Sequence, residues 1–236
     1  MDERTLEKLD QLLCEHYDAT FREGAGRAGA WVTCKPGCTA CCIGPFAISA
    51  LDAWRLQRGL AALATADPQA AARVRERAQA QWQILAPELP GEARTGALAE
   101  DGEAQEAFFA RFAHLPCPLL EPETGLCALY RFRPASCRSF GLPCRIGGTL
   151  LLPCQRNFVG APEAALAEAT VTFDPEDREG ELLAAFGNPP ETVVAAVIAG
   201  AYPAPPADEQ SENAPSLQEQ GGACQLQAAR SGNGAG

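Results

Sequence analysis

Four cysteines fall within nine positions of the segment "CKPGCTACC": Cys34, Cys38, Cys41 and Cys42. Cys38 and Cys41 have the C-x2-C separation that lets two thiolates bind one metal ion. If Cys38 begins a helical turn, Cys41 and Cys42 lie at positions i+3 and i+4, side by side on its face. Soft thiolates select zinc, copper(I) or iron–sulfur clusters over magnesium or calcium. A disulfide nest, a redox switch and a reactive nucleophile are the other uses of such a cluster.

A second cysteine block follows in a segment rich in proline and glycine. It contains Cys117, Cys127, Cys137, Cys144 and Cys154. This block can supply the remote ligands that the first block lacks. Arg133 and Arg138 flank Cys137. Four thiolates around Zn²⁺ or an oxidised iron–sulfur cubane leave a net negative charge, which nearby guanidinium groups would stabilise. We therefore predict that Arg133 and Arg138 contribute to cofactor binding.

The remaining candidate donors carry weaker signals. Cys14 lies in a predicted helix and Cys224 in the C-terminal segment, where a thiol without a metal is the simpler interpretation. The two histidines are His16 and His114. His114 directly precedes the second block and could complete a mixed Cys/His site, although a histidine at a helix end is more often a capping or surface residue.

Composition narrows the classes of partner. The chain has 236 residues, a net charge of −11 and eleven cysteines. The acidic balance disfavours nucleic acid and anionic membranes as partners. The N-terminal stretch is acidic and amphipathic, unlike a signal peptide, and no apolar run is long enough to span a bilayer. We therefore expect a cytoplasmic protein, in which clustered thiols stay reduced and serve metal or redox chemistry. The odd cysteine count also fits a complete disulfide framework poorly.

Periodicity predicts helices around the first cysteine block. Apolar residues recur at three- and four-residue steps over residues 3–22, which indicates an amphipathic helix that "REGAGRAG" should end. Ser49, with Asp52 three residues later, has the arrangement of a helix start. Asp67 followed by Pro68 predicts the start of the next helix.

The rest of the chain predicts little regular structure. Residues 87–102 read as a loop, and Phe108 and Phe112 indicate a short helix closed by Pro116. Between 117 and 154 only "IGGTLLL" resembles a strand, as one arm of a short hairpin, whereas residues 161–170 and 189–200 look helical. The predicted fold is mostly α: a small, irregular helical domain over residues 1–200, organised around a cysteine-rich metal site with its core motifs at 34–154. Residues 201–236 should form a disordered tail.

Several separate motifs occur in a recognisable order. "CKPGCTACC", "ISALDAWRL", "CPLL" and "GLCALYRFRPASCRSFG" together resemble the YkgJ-like CxxCxxCC cysteine-cluster family, which is described as zinc- or iron-chelating. The resemblance covers roughly residues 34–145. It implies a metal-binding set made of Cys34, Cys38, Cys41, Cys42, Cys117, Cys127 and Cys137. Cys144 and Cys154 lie outside the matching motifs, so the resemblance does not decide whether they are ligands.

The sequence therefore predicts a metal-binding protein that holds zinc or iron, with a 4Fe-4S cluster as one form of the latter. An alternative is a cluster-dependent enzyme, either a transferase or a thiol oxidoreductase. No Ser-His-Asp order, P-loop or HExxH motif specifies such chemistry. A third interpretation is a redox- or metal-responsive interaction protein whose thiols exchange on oxidation. The metal ion is the only partner that the residues identify.

Overall fold

The computed structural model describes residues 1–146 and 149–203. The α-helices and short 3-10 helices together make up more than half of the described residues, so the prediction of a mostly α fold is confirmed there. The helices are α1 Glu3–Ala28, α2 Ala50–Ala66, α3 Pro68–Leu85, α4 Gly102–Arg111, α5 Ala135–Ser139, α6 Glu163–Ala169, α7 Arg178–Ala185 and α8 Val194–Ala199. From residue 204 onward, the predicted tail lies outside the described residues, and so does Cys224.

Short strands in the described residues form two two-stranded sheets and one three-stranded sheet. They are β1 Ala47–Ile48, β2 Gly91–Glu92, β3 Ala97–Leu98, β4 Cys144–Ile146, β5 Thr149–Leu151, β6 Val171–Thr172 and β7 Thr192–Val193. β1 pairs with β7 and β2 with β3, both antiparallel. β4 lies between antiparallel β5 and parallel β6. The stretch "IGGTLLL" is predicted as one hairpin arm; the structure instead places Ile146 in β4 and Thr149–Leu151 in the paired strand β5.

The two predicted helix starts are confirmed. The Ser49 hydroxyl accepts the Asp52 N–H at 3.2 Å at the start of α2. The Asp67 carboxylate accepts the Ala70 N–H at 2.9 Å, and Pro68 occupies the first turn of α3. Both caps satisfy N–H groups that have no partner inside the helix.

Helix α1 is longer than the sequence predicts, because it passes through the glycine-rich stretch and ends at Ala28. A Cβ atom added at Gly24 would lie 2.7 Å from the Leu142 side chain and 2.8 Å from that of Val171. Gly24 therefore permits close packing of α1 instead of breaking the helix. The residue that caps the end of the helix is Gly29, whose φ of +55° suits glycine.

Two hydrophobic clusters share helix α2. Leu51 and Trp54 face the cluster formed by α1, the β4 region and α7, which also contains Phe173. Leu56 and Leu60 face the other cluster, formed by α3, α4 and α8. Helix α2 thus packs against both hydrophobic clusters. Because it follows the first cysteine block directly in sequence, it also fixes the position of that block.

Two regions differ from the sequence prediction. The segment 87–102 contains the β2–β3 hairpin in addition to loop, and residues 189–200 contain strand β7 before helix α8. Helix α7 has no counterpart among the predictions. It is short, and its apolar residues Leu182 and Leu183 are too few to establish a helical period by themselves.

Candidate metal centre

The first cysteine block forms two successive tight turns. The Cys38 N–H donates to the Lys35 carbonyl at 2.9 Å, with Gly37 at a φ of +83°. A 3-10 turn at Ala40–Cys42 follows. A turn is therefore present at Pro36–Gly37. Cys41 and Cys42 share one short turn of 3-10 type in place of the predicted α-helical face.

A backbone ladder joins this block to the second one. The Cys117 N–H donates to the Cys42 carbonyl at 2.7 Å, and the Gly44 N–H donates to the Leu115 carbonyl at 2.7 Å. An antiparallel β-bridge between Ile43 and Pro116 lies between these two hydrogen bonds. Segments 75 residues apart in sequence are thereby held side by side at the cysteines themselves.

Cys127 is brought to the same place by a close backbone approach. Gly125 has a φ of +68°, and a Cβ atom there would lie 3.3 Å from the Gly37 carbonyl oxygen. Cys127 also bridges to Leu120, so the loop between Cys117 and Cys127 closes on itself. Glycine at 125 satisfies both the left-handed backbone and the limited space.

Cys137 lies in helix α5 and is positioned through helix α2. The Asp52 carboxylate accepts the Ala135 N–H at 2.8 Å, and the Cys137 N–H donates to the Pro134 carbonyl at 3.0 Å. Asp52 also pairs with Arg55. Arg55 in turn pairs with Asp10 of α1 at 2.5 Å, and its side chain is 2% exposed. The buried ion cluster thus fixes the turn that carries Cys137.

Four of these thiols influence one another and define the inner thiol group: Cys41, Cys117, Cys127 and Cys137. Burial raises the pKa of Cys117 to about 12, and the thiols of Cys127 and Cys41 add to the rise. Burial also raises the pKa of Cys137 well above its ordinary value, with further contributions from the other three. Like charges at close range oppose ionisation, so each thiolate destabilises the next.

Backbone N–H groups are directed at two sulfurs of the inner group. Those of Leu119 and Leu120 favour the thiolate of Cys117 and lower its pKa, against the larger effect of burial. The Leu129 N–H acts in the same way on Cys127. Such donors stabilise a thiolate without neutralising it, which leaves the sulfur charge available to a cation.

Cys41 and Cys42 interact directly. The hydrogen-bonding interaction with Cys42 is the largest cause of the raised pKa of Cys41, followed by burial. Arg133 opposes the rise at Cys41 and also at Cys127, where burial is the main cause. The guanidinium of Arg133 is therefore near enough to favour thiolates of the inner group.

The other predicted arginine has a different environment. Arg138 donates to Asp18 at 2.7 Å and to the carbonyls of Arg131 at 2.6 Å and Arg133 at 3.3 Å. Its side chain is 3% exposed. Arg133 also donates to Asp18, at 2.8 Å, and lies 4.0 Å above the ring of Tyr130. Asp18 thus joins both arginines to helix α1.

Sequence reasoning missed Asp18 and Asn157. Asp18 belongs to a series at four-residue steps along α1, with Asp10 bound to Arg55 and Cys14 between them. That spacing places all three on one helix face and is the signal that could have identified Asp18. Asn157 donates to the Cys34 sulfur at 3.3 Å. Nothing in its sequence surroundings distinguishes it.

Cys144 and Cys14 lie apart from the inner group. Cys144 is buried on β4 in the hydrophobic cluster that includes Leu142 and Phe158. Cys14 lies near Arg55, and burial raises its pKa. Both environments are those of thiols packed in the protein interior.

The thiols are grouped but not closed around one point. In residues 1–146 and 149–203, no three or more cysteine, histidine or carboxylate side chains are drawn together tightly enough to hold a metal ion. Every cysteine of this part is a free thiol. The donors nevertheless fit a soft metal. The thiolates repel one another and accept backbone N–H groups, and a thiophilic cation would stabilise them.

A mostly helical fold that brings two distant blocks of free cysteines together defines a cysteine-cluster protein. Residues 33–149 match the CxxCxxCC family, described as a "putative zinc- or iron-chelating domain". The chain belongs to this family, so the family resemblance is confirmed, and the family's description supports a metal ion as partner. No curated protein and no solved structure matches the chain.

No helix in the described part combines the length and apolarity needed to cross a membrane.

Proposed function

We propose that the protein binds zinc or iron, the latter as an ion or a 4Fe-4S cluster, through thiolates of the inner group. The observation that carries the proposal is the backbone bond from Cys117 to Cys42, which joins the two blocks. Because that bond is built into the fold, the donors are brought together before any metal arrives. Chelation then requires side-chain adjustment, not refolding of either block.

The metal would remove an electrostatic conflict that the fold creates. Cys117, Cys127 and Cys137 are half-buried, and the thiols of Cys117 and Cys127 both add to the raised pKa of Cys137. A cation exchanges their protons for metal bonds and offsets the repulsion between thiolates. Bound zinc would supply structural cross-linking, and an iron–sulfur cluster would add electron transfer.

The other predicted residues have supporting positions in this proposal. Cys42 lies beside Cys41, and Arg133 favours ionised sulfur nearby. Arg138 acts as a positioning residue that holds the segment around Cys137 to α1 through Asp18. We further propose that residues 1–200 act as one domain in the cytoplasm, where reducing conditions keep these thiols available.

Metal analysis of wild-type and variant proteins tests the proposal. The full chain is purified anaerobically, its visible spectrum is recorded, and Zn, Fe and sulfide are measured per chain. We expect stoichiometric metal in the wild type and a loss in Cys117→Ser and Cys137→Ser. Cys14→Ser and Cys144→Ser are matched controls, because both alter packed thiols outside the inner group.

Two results would overturn the proposal. One is wild-type protein without stoichiometric zinc or iron after anaerobic purification. The other is an equal loss of metal in Cys144→Ser and Cys117→Ser when circular dichroism shows both to be folded. Loss confined to Cys117→Ser and Cys137→Ser supports it.

A further inference from the structure

We infer that Cys154 is a metal ligand of a second, outer thiol site, which it forms with Cys34 and Cys38. Cys154 lies beyond residues 33–149, the part that matches the family. The inference rests on the proposed function in one respect, namely that the protein binds thiophilic metal. Its own content is a separate site and an additional ligand.

The side chain of Asn157 connects the segments that form the outer site. Its amide group donates to the Cys34 sulfur at 3.3 Å and to the Gly141 carbonyl at 2.7 Å. Its oxygen accepts the Thr33 N–H at 2.9 Å and the Thr33 hydroxyl at 3.0 Å. Asn157 is only 4% exposed. A buried amide with each group engaged, one of them on a sulfur, is the kind of second-shell donor that orients a metal ligand.

The same turn brings Cys154 to Cys34. The Asn157 N–H donates to the Cys154 carbonyl at 2.8 Å, and the Phe158 N–H donates to the Trp31 carbonyl at 2.8 Å. Segment 154–158 is therefore bonded at several points to segment 31–34. Asn157 therefore bonds to Cys34 through its side chain and to Cys154 through its backbone, which links the segments that carry the two cysteines.

The electrostatics around Cys34 agree with this arrangement. Burial raises the pKa of Cys34, the Asn157 hydrogen bond lowers it, and the thiols of Cys38, Cys154 and Cys41 raise it further. Cys34 thus has three sulfur neighbours, and only Cys41 also belongs to the inner group. Cys42 follows Cys41 in the same 3-10 turn and is not part of the inner group, so it would be the fourth donor for the outer site.

The space around Cys34 is shaped for close approach. A Cβ atom at Gly141 would lie 3.3 Å from the Cys34 sulfur, and Gly141 has a φ of +119°. Any side chain at 141 would crowd the sulfur and strain the backbone. Cys34 is also exposed, while the cysteines of the inner group are half-buried, so the outer site would exchange its metal with solvent more readily.

The stoichiometry of zinc tests this inference. Metal-free, fully reduced full-length protein is titrated anaerobically with ZnCl₂ against a chromophoric chelator. We expect two equivalents bound by the wild type. Cys154→Ser and Cys34→Ser should each bind one equivalent, with the tighter step retained. Asn157→Leu, which preserves size but removes the sulfur donor, should weaken the second step by about 10- to 100-fold.

Controls separate this inference from the proposed function. Cys117→Ser should lose the tighter step, whereas Cys144→Ser should bind two equivalents. If Cys154→Ser still binds two equivalents while Cys117→Ser loses one, the outer site is refuted and the proposed function stands. A single equivalent in the wild type also refutes the outer site. Absence of zinc binding in the wild type refutes both.

Cobalt substitution gives a second readout of ligand identity. Co²⁺ replaces Zn²⁺ in the same titration, and thiolate-to-cobalt charge-transfer absorption reports sulfur ligands. We expect Cys154→Ser to reduce this absorption, and an unchanged spectrum would refute ligation by Cys154. A Cys34–Cys154 disulfide found by mass spectrometry in protein purified anaerobically without added reductant would likewise overturn the inference.

Discussion

The Asp52 carboxylate accepts the backbone N–H of Ala135 at 2.8 Å, across 83 residues of sequence. The same carboxylate pairs with Arg55, whose guanidinium also donates to Asp10. Helices α1, α2 and α5 are therefore joined through one buried cluster of two carboxylates and one guanidinium. The Asp and Arg of the "ALDAWRL" motif hold the segment that carries Cys137; they are not themselves placed as metal ligands.

Replacing Asp52 should destabilise the fold strongly. Asp52→Ala leaves the Ala135 N–H without its acceptor and removes one of the two carboxylates around Arg55. We expect the free energy of unfolding to fall by about 3–5 kcal/mol, the range found when one partner of a buried ion pair is removed. Urea unfolding of metal-free, reduced protein measures this.

The matched control is Glu7→Ala, which breaks an exposed pair with Arg58. The Glu7 side chain is 52% exposed. Solvent-exposed pairs contribute about 0–1 kcal/mol, so Glu7→Ala should change the unfolding free energy by no more than that. Similar losses in the two variants would contradict a structural role for the buried cluster.

The two glycines of α1 should respond in opposite directions to substitution by alanine. Gly24→Ala places a Cβ atom 2.7 Å from Leu142 and 2.8 Å from Val171 and should cost about 1–3 kcal/mol. At Gly26 a Cβ atom meets nothing within 4 Å, so Gly26→Ala should gain about 0.5–1 kcal/mol from helix propensity. Thermal unfolding of both variants checks the signs, and a gain at both positions would show that α1 is not closely packed at Gly24.

These glycines illustrate what the sequence could and could not predict. Capping and periodicity are local, so the starts at Ser49 and Asp67 followed from a few neighbouring residues. The continuation of α1 depended on a tertiary contact, since only the β4 and β6 regions reveal why Gly24 is small. A glycine that permits close packing and one that ends a helix look alike in the sequence.

The candidate site divides in the same way. Spacing alone identified the two cysteine blocks, because chelating separations are short-range properties of the chain. The division into inner and outer thiols depended on long-range hydrogen bonds, such as that from Asn157 to Cys34. The surroundings of Arg133 and Arg138 could not be predicted for the same reason, since both arginines bind Asp18 of the distant helix α1.

Glu179 should make stability depend on pH. Burial raises its pKa to about 7, and the nearby Asp52 and Asp174 carboxylates add to the rise, while Ser49 and Arg55 oppose it. The folded protein then holds a proton that the unfolded chain releases near pH 4.5. The stabilisation that Glu179 contributes is fully present below pH 4.5 and is lost as the pH rises to about 7.

Glu179→Gln should remove that dependence. Relative to wild type, the variant should gain unfolding free energy between pH 5 and pH 7.5, by an amount on the order of 1–3 kcal/mol. Urea unfolding of metal-free protein at several pH values measures the difference. Glu181→Gln, an exposed position on the same helix, should show a pH-independent difference. A pH-independent difference at Glu179 as well would exclude the titration.

Substitutions of Arg133 and Arg138 should have different effects, although both side chains bind Asp18. Loss of Arg138 should lower stability, and loss of Arg133 should lower metal affinity. Arg138 is 3% exposed and donates to two backbone carbonyls, so Arg138→Met leaves buried acceptors unsatisfied. We expect a loss of about 3–5 kcal/mol in unfolding free energy. Arg133 is 15% exposed and favours ionised sulfur at Cys41 and Cys127.

Arg133→Met should therefore act on the metal. Removing a positive charge near the thiolates should weaken zinc binding by about 10-fold at low salt, and by less at 1 M salt, where screening shortens the range of the charge. Chelator competition at both salt concentrations measures this on protein shown to be folded by circular dichroism. Folded Arg138→Met should bind zinc with near wild-type affinity, because its guanidinium is committed to Asp18 and backbone carbonyls. Equal weakening in the two folded variants would mean that Arg138 also acts on the bound metal.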